Sequence, residues 1–442
     1  MPFCLLIPSP RQASFRPGGA FAGFFGSRMK VLLVHQNLPG QFLHLVPALQ
    51  ARGHDCHGLT AAGNRRPLAF PVTRYTQATP PPGAAPSPVA KTYGTMADRG
   101  VAAARAAARL RDGEGYHPDV IFGHSGWGET LFLKEVWPQA KLLVYPEFYY
   151  NSTGFDTGFD PEVTAPTLDN AIVTRARSAH LGQAMLHADA ALLPTRWQAS
   201  SFPAVLQGLI EVAHEGIDTA RIRPDPAASV TLQASGLVLR PGDEVLTFVN
   251  RNLEPYRGFH IFMRALPAVL RSRPQARVVI VGADGVSYGG PPPGGGTWKQ
   301  ALLAEVGSQL DLARVHFVGQ VPHNIFVALM QVSRVHAYLT YPFVLSWSLL
   351  EAMAAGAPII ASRTPPVEEG VDDGVHGRLV DFFDVPGWSA ALTEALADPA
   401  ALRPLAQVAR ERVVARYDLS VCLPKWVGFV ERHGPGTEGA RP

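Results

Sequence analysis

Two arginines, Arg251 and Arg257, flank a proline turn that follows the apolar run Val245–Val249 and precedes a helical pattern. Guanidinium groups stay ionised and bind phosphate oxygens in a fork, so a turn that folds back would let both groups reach one diphosphate. There they would neutralise the negative charge that a departing diphosphate gains. Two arginines near a turn are more often a solvated surface feature. The pair therefore indicates an anion site only together with a second phosphate-binding element.

The segment 337–362 supplies that second element. An apolar strand leads into a turn with Pro342, and a helix then begins at Ser346, Trp347 and Ser348. In a parallel sheet this helix N-terminus lies at the carboxyl edge of the strands, where backbone N–H groups and the helix dipole attract phosphate. We expect the backbone of these three residues to bind phosphate or sugar. Ser346 could also act simply as an N-cap, and both roles are compatible.

Glu351 lies one turn into the same helix. An acidic residue beside a phosphate-binding helix start is the recurring arrangement for a nucleotide ribose, so we expect Glu351 to accept a hydrogen bond from a ribose hydroxyl. A glutamate early in a helix is also favoured by the helix dipole without any ligand.

The run Glu351–Pro358 resembles the nucleotide-sugar signature of glycosyltransferase family 4 (group 1), whose members have the GT-B fold. In that signature two glutamates lead into Ala-Met-Ala-x-Gly-x-Pro, and Phe343 stands here in place of the first. The family's first glutamate hydrogen-bonds hydroxyls of the donor sugar, which phenylalanine cannot do. Either another group contacts the sugar, or the sugar stacks on the ring, or activity is lost. Arg251 and Arg257 resemble the family's Arg and Lys pair, with Arg257 in the place of the lysine.

The first half of the chain carries further similarity. The octapeptide His35–Phe42 resembles the start of a bacterial subgroup of the family, with an HQNxPGQF-type N-terminus. Gly40 falls in the first strand-to-helix turn, where a small residue lets a phosphate or an acceptor approach, although a tight turn alone would also explain it. His124 follows the strand Val120–Phe122 and matches the family's cleft-facing histidine, which would bond the donor sugar or orient the acceptor. A structural role for this histidine is an equally good interpretation.

Three other positions complete the candidate cleft. Gly282 ends a strand where the family has a glycine-rich turn beside the donor. Glu147, followed by aromatic residues, could form part of an acceptor surface, and buried packing explains it at least as well. The segment 214–218 resembles the family's turn before the interdomain linker, and we interpret it as hinge and cleft floor.

Short apolar strands alternate with helical patterns along most of the chain, which predicts open parallel sheets with helices on both faces. The fold class we expect is α/β: GT-B, with two doubly wound Rossmann-like domains facing across a cleft. We expect a helix over Val101–Arg111 and loops over 77–90 and 285–296. We predict an N-terminal acceptor domain (29–218), a linker (219–243) and a C-terminal nucleotide-sugar domain (244–405). The C-terminal helices and tail (406–442) could cross back to the N-terminal domain. Residues 1–28 are expected to be a disordered or mis-assigned extension, with Met29 as the true start.

Composition limits the function classes. The 442 residues are 47% apolar and 17% charged, which indicates a globular protein with sizeable cores. A net charge of +3 is too small to indicate nucleic-acid binding. Three distant cysteines show no metal or redox spacing and fit a reducing compartment. No apolar run is long enough to span a bilayer. We therefore expect a cytoplasmic protein with no metal and no cofactor other than its donor substrate, and peripheral contact with a membrane stays open as an alternative.

The resemblance implies a retaining, metal-independent glycosyltransferase. It would move a sugar from a nucleoside diphosphate sugar to a hydroxyl of a glycan, a lipid-linked or a small-molecule acceptor. Two alternatives stay open. A sugar-nucleotide epimerase-like GT-B enzyme would act on the donor alone, and a catalytically silent nucleotide-sugar-binding protein would account for Phe343.

Overall fold

The computed structural model describes residues 28–77 and 87–435. The predicted extension, apart from the exposed Arg28, and the tip of the predicted 77–90 loop lie outside the described residues. Two parallel β-sheets, each covered by helices on both faces, form the core, and a short antiparallel hairpin lies between them in the chain. Parallel strands are buried on both faces, which is why the sequence shows them as continuous apolar runs.

The first sheet has seven parallel strands in the order β3-β2-β1-β4-β5-β6-β7. Its strands are β1 (Lys30–Val34), β2 (Asp55–Ala61), β3 (Val72–Tyr75), β4 (Val120–His124), β5 (Lys141–Tyr145), β6 (Ala190–Leu193) and β7 (Ile210–Val212). Its helices are α1 (Leu45–Ala51), α2 (Pro88–Glu114), α3 (Leu133–Val136), α4 (Leu168–Arg177), α5 (Ala179–His187) and α6 (Arg196–Ser200). The reversal of strand order beside β1 is the doubly wound pattern, which leaves a crevice at the carboxyl ends of β1 and β4.

The hairpin comprises β8 (Val230–Leu232) and β9 (Leu237–Leu239), and the second sheet then follows in the order β12-β11-β10-β13-β14-β15. Its strands are β10 (Val245–Asn252), β11 (Arg277–Ala283), β12 (Val315–Gly319), β13 (Val335–Tyr338), β14 (Ile359–Ser362) and β15 (Arg378–Val380). The remaining helices are α7 (Phe259–Ser272), α8 (Trp298–Val306), α9 (His323–Val332), α10 (Trp347–Ala354), α11 (Pro365–Gly370), α12 (Val385–Ala397), α13 (Pro399–Tyr417) and α14 (Leu419–Arg432).

One expectation about local structure is wrong in part, and another gains detail. The predicted helix Val101–Arg111 is the second half of α2, which begins at Pro88 after the N-cap Ser87 and shortens the predicted 77–90 loop. Polar residues in the first turns of α2 hide the helical period, and the cap and the proline at the first helical position set its start instead. The predicted linker 219–243 contains the β8–β9 hairpin, because its few apolar residues pair and become buried.

The chain passes between the two domains at two adjacent places. Ile217 pairs with Asp418 as an isolated bridge, and the Thr219 hydroxyl donates a hydrogen bond to the Asp418 carboxylate. Beyond this point α14 packs against the first sheet. The Trp426 ring lies against Phe122 of β4, and its indole N–H donates to the carbonyl of Ala213 at 3.1 Å. The C-terminal helix therefore completes the core of the N-terminal domain.

The two domains also touch through the segment 146–167, here called the strap. The strap leads from β5 to α4 of the first domain and lies against the second domain. The Tyr256 hydroxyl donates to Asp156 of the strap at 2.7 Å, and the Tyr341 hydroxyl donates to Asp160 at 2.6 Å. Phe159 of the strap packs its ring 5.1 Å from that of Tyr341. The strap thus holds the two sheets close together beside their carboxyl edges.

Candidate active site

A cleft of about 680 Å³ lies between the carboxyl edges of the two sheets. The N-terminal domain contributes the residues that follow β1, β4 and β5, and the C-terminal domain contributes the turn after β10 and the start of α10. Six of the ten site residues that the sequence predicts line this cleft: Gly40, His124, Arg251, Arg257, Ser346 and Trp347. Residues far apart in the chain therefore share one cavity.

The arginine pair has no acidic partner. The Arg257 side chain is buried and donates to the Thr340 hydroxyl at 2.7 Å and to the Val344 carbonyl at 3.0 Å. Arg251 is exposed at the cleft. Within the described residues neither guanidinium makes an ion pair. Because an unpaired buried charge is costly, this arrangement favours an anionic ligand between the two arginines.

The start of α10 offers one free backbone donor to this space. The Ser346 N–H donates to the Tyr338 hydroxyl at 3.0 Å, and the Ser346 hydroxyl caps the helix by accepting from the Ser348 N–H at 3.3 Å. The Trp347 N–H has no hydrogen-bond partner in the described part of the chain. Ser346 thus acts as an N-cap, and Trp347 is the residue of the three whose backbone can bind a ligand.

His124 is a neutral donor at the end of β4. Burial, reinforced by the nearby His35, holds its pKa well below the usual range. Its Nδ1 accepts a hydrogen bond from the Gly126 N–H at 3.2 Å, so the ring proton resides on Nε2. Nε2 lies 3.7 Å from a carboxylate oxygen of Glu147. The site therefore presents an N–H donor beside a carboxylate, suited to the hydroxyl groups of a sugar.

Position 40 requires a glycine because the backbone there passes close to the His35 ring. Its φ is +49°, and a Cβ atom there would lie 2.7 Å from Nε2 of His35. The turn after β1 can therefore pass directly over His35, whose pKa burial lowers to about 4. A neutral His35 and the glycine turn together form one wall of the cleft.

Four predicted residues lie outside the cleft lining. The Glu351 carboxylate is hydrogen-bonded to His323, with 2.7 Å between Oε1 and Nε2. Ser348 faces Ser346 within the helix cap. Phe343 is buried in an aromatic cluster that includes Phe148 of the strap, and its carbonyl oxygen accepts from the Trp197 indole N–H of the other domain at 3.0 Å. Gly282 packs against Leu253, where a Cβ atom would lie 2.7 Å from Cδ2. The sequence pattern located their elements but not the direction of their side chains.

Two cleft residues were missed or underrated from the sequence. Arg177 ends α4 and stacks on the ring of Tyr150 at 3.7 Å from its centroid. No sequence signal marks it, because the fold of the strap brings it to the cleft. Glu147 has a φ of +60°. Within the described part of the chain it is the only non-glycine residue with a positive φ. Its position directly after a buried strand is the one signal that the sequence offered.

One group of possible metal ligands occurs among the residues that the structure describes. Ligand atoms of Asp160, Glu162 and His260 lie within 4.8 Å of one another at the contact between strap and second domain. Arg264 pairs with Glu162 at 2.7 Å, and Tyr341 donates to Asp160. These partners already compensate both carboxylates, so we interpret the group as part of the domain contact. Separately, none of the helices within 28–77 and 87–435 is long and apolar enough to cross a bilayer.

Family comparisons match both halves of the chain. Residues 52–222 match the model described as Glycosyl transferase family 4 group, and residues 233–412 match the model Glycosyl transferases group 1. The D-inositol 3-phosphate glycosyltransferase of Nocardia farcinica is 29% identical over 197 residues, which are 44% of this chain and 41% of that protein. A glycogen synthase of Mycobacterium tuberculosis is 30% identical over 179 residues, 40% of each chain. The chain thus matches about two-fifths of the length of these curated relatives.

Solved structures match almost the whole chain at lower identity. HepE of Anabaena, solved in complex with UDP and glucose, aligns with a TM-score of 0.62 and 18% identity over 91% of this chain and 99% of that one. Sucrose-phosphate synthase of Thermosynechococcus elongatus aligns with a TM-score of 0.65 and 18% identity over 91% and 98%. At this identity the similarity establishes the fold alone.

Two doubly wound domains that face each other across a cleft are the GT-B architecture, and the expected fold class is confirmed. Within this fold the chain combines a segment similar to the glycosyl transferase family 4 group with a following segment similar to the group 1 glycosyl transferases. The subgroup indicated by the octapeptide His35–Phe42 stays a prediction.

Proposed function

We propose that the protein is a retaining, metal-independent glycosyltransferase that uses a nucleoside diphosphate sugar. The observation that supports this most strongly is the cleft that joins Arg251 and Arg257, both without acidic partners, to the free backbone N–H of Trp347. Two cations and an amide donor converge there in a space large enough for a small ligand. A diphosphate uses all three, and related HepE was solved with UDP.

In the proposed reaction the bond between the anomeric carbon and the diphosphate oxygen breaks, and a new bond forms between that carbon and an acceptor oxygen. Arg251 and Arg257 stabilise the negative charge that develops on the diphosphate. The acceptor hydroxyl attacks from the face that the diphosphate leaves, and its proton passes to the departing diphosphate oxygen. This route retains configuration and needs no separate strong base.

The acceptor is the less defined half of the proposal. His124 of the N-terminal domain offers an N–H donor to hydroxyl groups of an acceptor. Such a donor suits a saccharide, whether a free glycan, a small molecule or a lipid-linked sugar. For a lipid-linked acceptor, the cytoplasmic enzyme would act at a membrane surface.

The first experiment screens the purified protein against a panel of nucleotide sugars by thermal shift and then assays sugar release and transfer. A ligand that binds only the folded state raises the melting temperature. We expect stabilisation by a nucleoside diphosphate and by one of its sugars, followed by transfer with retention. Conversion of the donor sugar without an acceptor would indicate the epimerase-like alternative. Binding with no turnover would indicate a silent binding protein, and both results would contradict the transferase proposal.

The role of the arginine pair is tested with Arg257→Met and Arg257→Lys. Methionine fills the buried space but removes the charge, so we expect transfer to fall by about 100-fold or more. Lysine keeps the charge, and we expect it to retain activity within about tenfold. Circular dichroism and the melting temperature serve as controls for folding. Transfer by Arg257→Met at the wild-type rate would refute the assignment.

A further inference from the structure

The backbone at Glu147 is held in an uncommon conformation. A φ of +60° costs a residue with a Cβ atom conformational free energy that glycine would avoid. The conformation is maintained by the Gln198 side-chain amide, which donates to the Glu147 carbonyl at 2.9 Å, and by a turn in which the Phe148 N–H donates to the Pro146 carbonyl at 2.7 Å. A turn alone would be better served by glycine. The glutamate side chain therefore points to a use for the carboxylate.

The Glu147 carboxylate has unused hydrogen-bonding capacity. Its side chain is 32% exposed, lines the cleft, and accepts no hydrogen bond from any described residue. Nε2 of His124 lies 3.7 Å from one carboxylate oxygen, which is too far for a hydrogen bond. By contrast, Glu215 on the same wall accepts from the Tyr145 hydroxyl at 2.5 Å. An ionised carboxylate can accept several hydrogen bonds, so Glu147 is equipped to bind hydroxyl groups of a ligand.

The charges around Glu147 come from both domains. Desolvation in the cleft and the nearby Glu215 raise its pKa to about 7, while Arg251 and Arg257 act in the opposite direction. His124, which also faces it, is neutral. The carboxylate is therefore ionised in most molecules only above about pH 7 and lies within electrostatic range of both arginines.

Position 343 of the second domain carries a phenylalanine and therefore offers no carboxylate to a bound sugar. Its ring is buried and packs 4.8 Å from the rings of both Phe148 and Tyr288. Glu147 immediately precedes Phe148. The residue that follows Glu147 thus contacts the place where the second domain has an aromatic ring instead of an acid.

We propose that Glu147 is the carboxylate of the sugar subsite: it binds hydroxyl groups of the transferred sugar and stabilises the positive charge that develops at its anomeric carbon. As the glycosidic bond breaks, the diphosphate becomes more negative and the sugar more positive. Arg251 and Arg257 act on the first charge, and Glu147 acts on the second from the opposite wall. The inference rests on the proposed function, because it assumes a nucleotide sugar in the cleft.

The test compares Glu147→Gln, Glu147→Gly and the control Glu394→Gln, whose carboxylate pairs with Arg378 on the outer surface. Release of the sugar from UDP-glucose or another accepted donor is measured with and without an acceptor, and UDP affinity is measured by calorimetry. We expect both Glu147 variants to bind UDP within about threefold of wild type and to lose about 100-fold in turnover. Glu147→Gly should melt no lower than wild type, because it removes the backbone strain.

The pH dependence gives an independent readout. Wild-type turnover should rise with pH through about 7 as the carboxylate ionises, and this acidic limb should disappear in Glu147→Gln. Turnover by Glu147→Gln and Glu147→Gly within threefold of wild type would overturn the inference and leave the proposed function intact. A wild-type protein that binds no nucleoside diphosphate and releases no sugar would overturn the proposed function, and the role of Glu147 with it.

Discussion

Charged and neutral histidines are distinguished in this protein by burial rather than by sequence. His336 lies in β13 with its Nδ1 3.0 Å from the Thr247 hydroxyl, and burial lowers its pKa to about 4. His323 is half exposed, and its hydrogen bond to Glu351 raises its pKa. The same residue type thus favours the neutral form in the core and the charged form at the surface.

We expect acid to destabilise the fold through His336. Its folded pKa lies below the unfolded value of 6.5, so the unfolded state binds more protons between about pH 6.5 and 4. The unfolding free energy should fall as the pH drops through this window, by up to about 3 kcal/mol from this group. Urea titrations of wild type and His336→Gln at pH 7 and pH 5 measure the effect. An unchanged difference between the two pH values in the variant would show that other groups cause it.

Phe343 contributes to the contact between the domains. The signature that the sequence resembles would imply a glutamate at this position, whereas the ring of Phe343 packs between the strap and the second domain. Cation–π contact with Arg257 at 5.9 Å adds to this packing. The substitution therefore supports the domain contact, and its loss of a carboxylate is what makes Glu147 relevant.

At the scale of elements, the strap is the feature that brings the two walls of the cleft together. It carries Glu147 at its start and contacts the second domain through buried carboxylates and phenols. Burial raises the pKa of Asp160, but hydrogen bonds from His260 and Tyr341 outweigh this effect and leave the pKa lowered. An ionised carboxylate with these partners holds the strap in a defined position.

Tyr341→Phe should loosen the strap. The change removes the donor to Asp160 and leaves a buried carboxylate with one partner fewer, at a cost of about 1–3 kcal/mol. We expect faster proteolytic cleavage within residues 146–167. Tyr93→Phe is the matched control, because the Tyr93 hydroxyl donates to Gln183 within the N-terminal domain. Equal cleavage rates in the two variants would contradict a clamping role for the Tyr341 contact.

A buried glutamate organises the loop over 285–296. Glu254 accepts hydrogen bonds from the backbone N–H groups of Ser287, Tyr288 and Gly289, at 3.0 to 3.2 Å. These contacts place Ser287 and Tyr288 at the cleft. A segment that the sequence indicates only as glycine- and proline-rich thus has its first part bound to one carboxylate.

At the scale of the whole molecule, the C-terminal helix makes the N-terminal domain depend on the far end of the chain. Trp426 of α14 is buried against Phe42, Phe122 and Tyr145, and Glu431 pairs with Arg52 at 2.6 Å. The N-terminal domain therefore takes one of its core elements from the C-terminal part of the chain.

Trp426→Ala should destabilise the N-terminal domain by about 3–5 kcal/mol, the usual cost of removing a large buried aromatic side chain. Urea unfolding followed by circular dichroism measures the loss, and Val205→Ala, at an 84% exposed position, is the control. We expect the control to stay within about 0.5 kcal/mol of wild type. A similarly small effect of Trp426→Ala would mean that α14 contributes little to the N-terminal core.

The fold class was predictable because it follows from local patterns. Short apolar runs that alternate with helical periods specify parallel strands and covering helices, and the runs Val120–Phe122 and Val245–Val249 are indeed strands of the two sheets. Helix caps and glycines in turns also mark where elements begin and end, as at Ser346 and Gly40. The arginine pair was visible for the same reason, since a turn between a strand and a helix places it at the carboxyl edge.

The tertiary structure decided which side chains meet. That Glu147 shares a cleft with Arg251 and Arg257, that Phe343 is buried, and that Glu351 lies within hydrogen-bond distance of His323 all depend on contacts between residues far apart in the chain. Such contacts are set by burial and packing across two domains. The local hydrophobic periodicity of the sequence carries no information about them. The amino-acid sequence by itself therefore determined the two sheets and their candidate anion site, whereas the packing of strap, hinge and α14 determined the chemistry of the cleft between them.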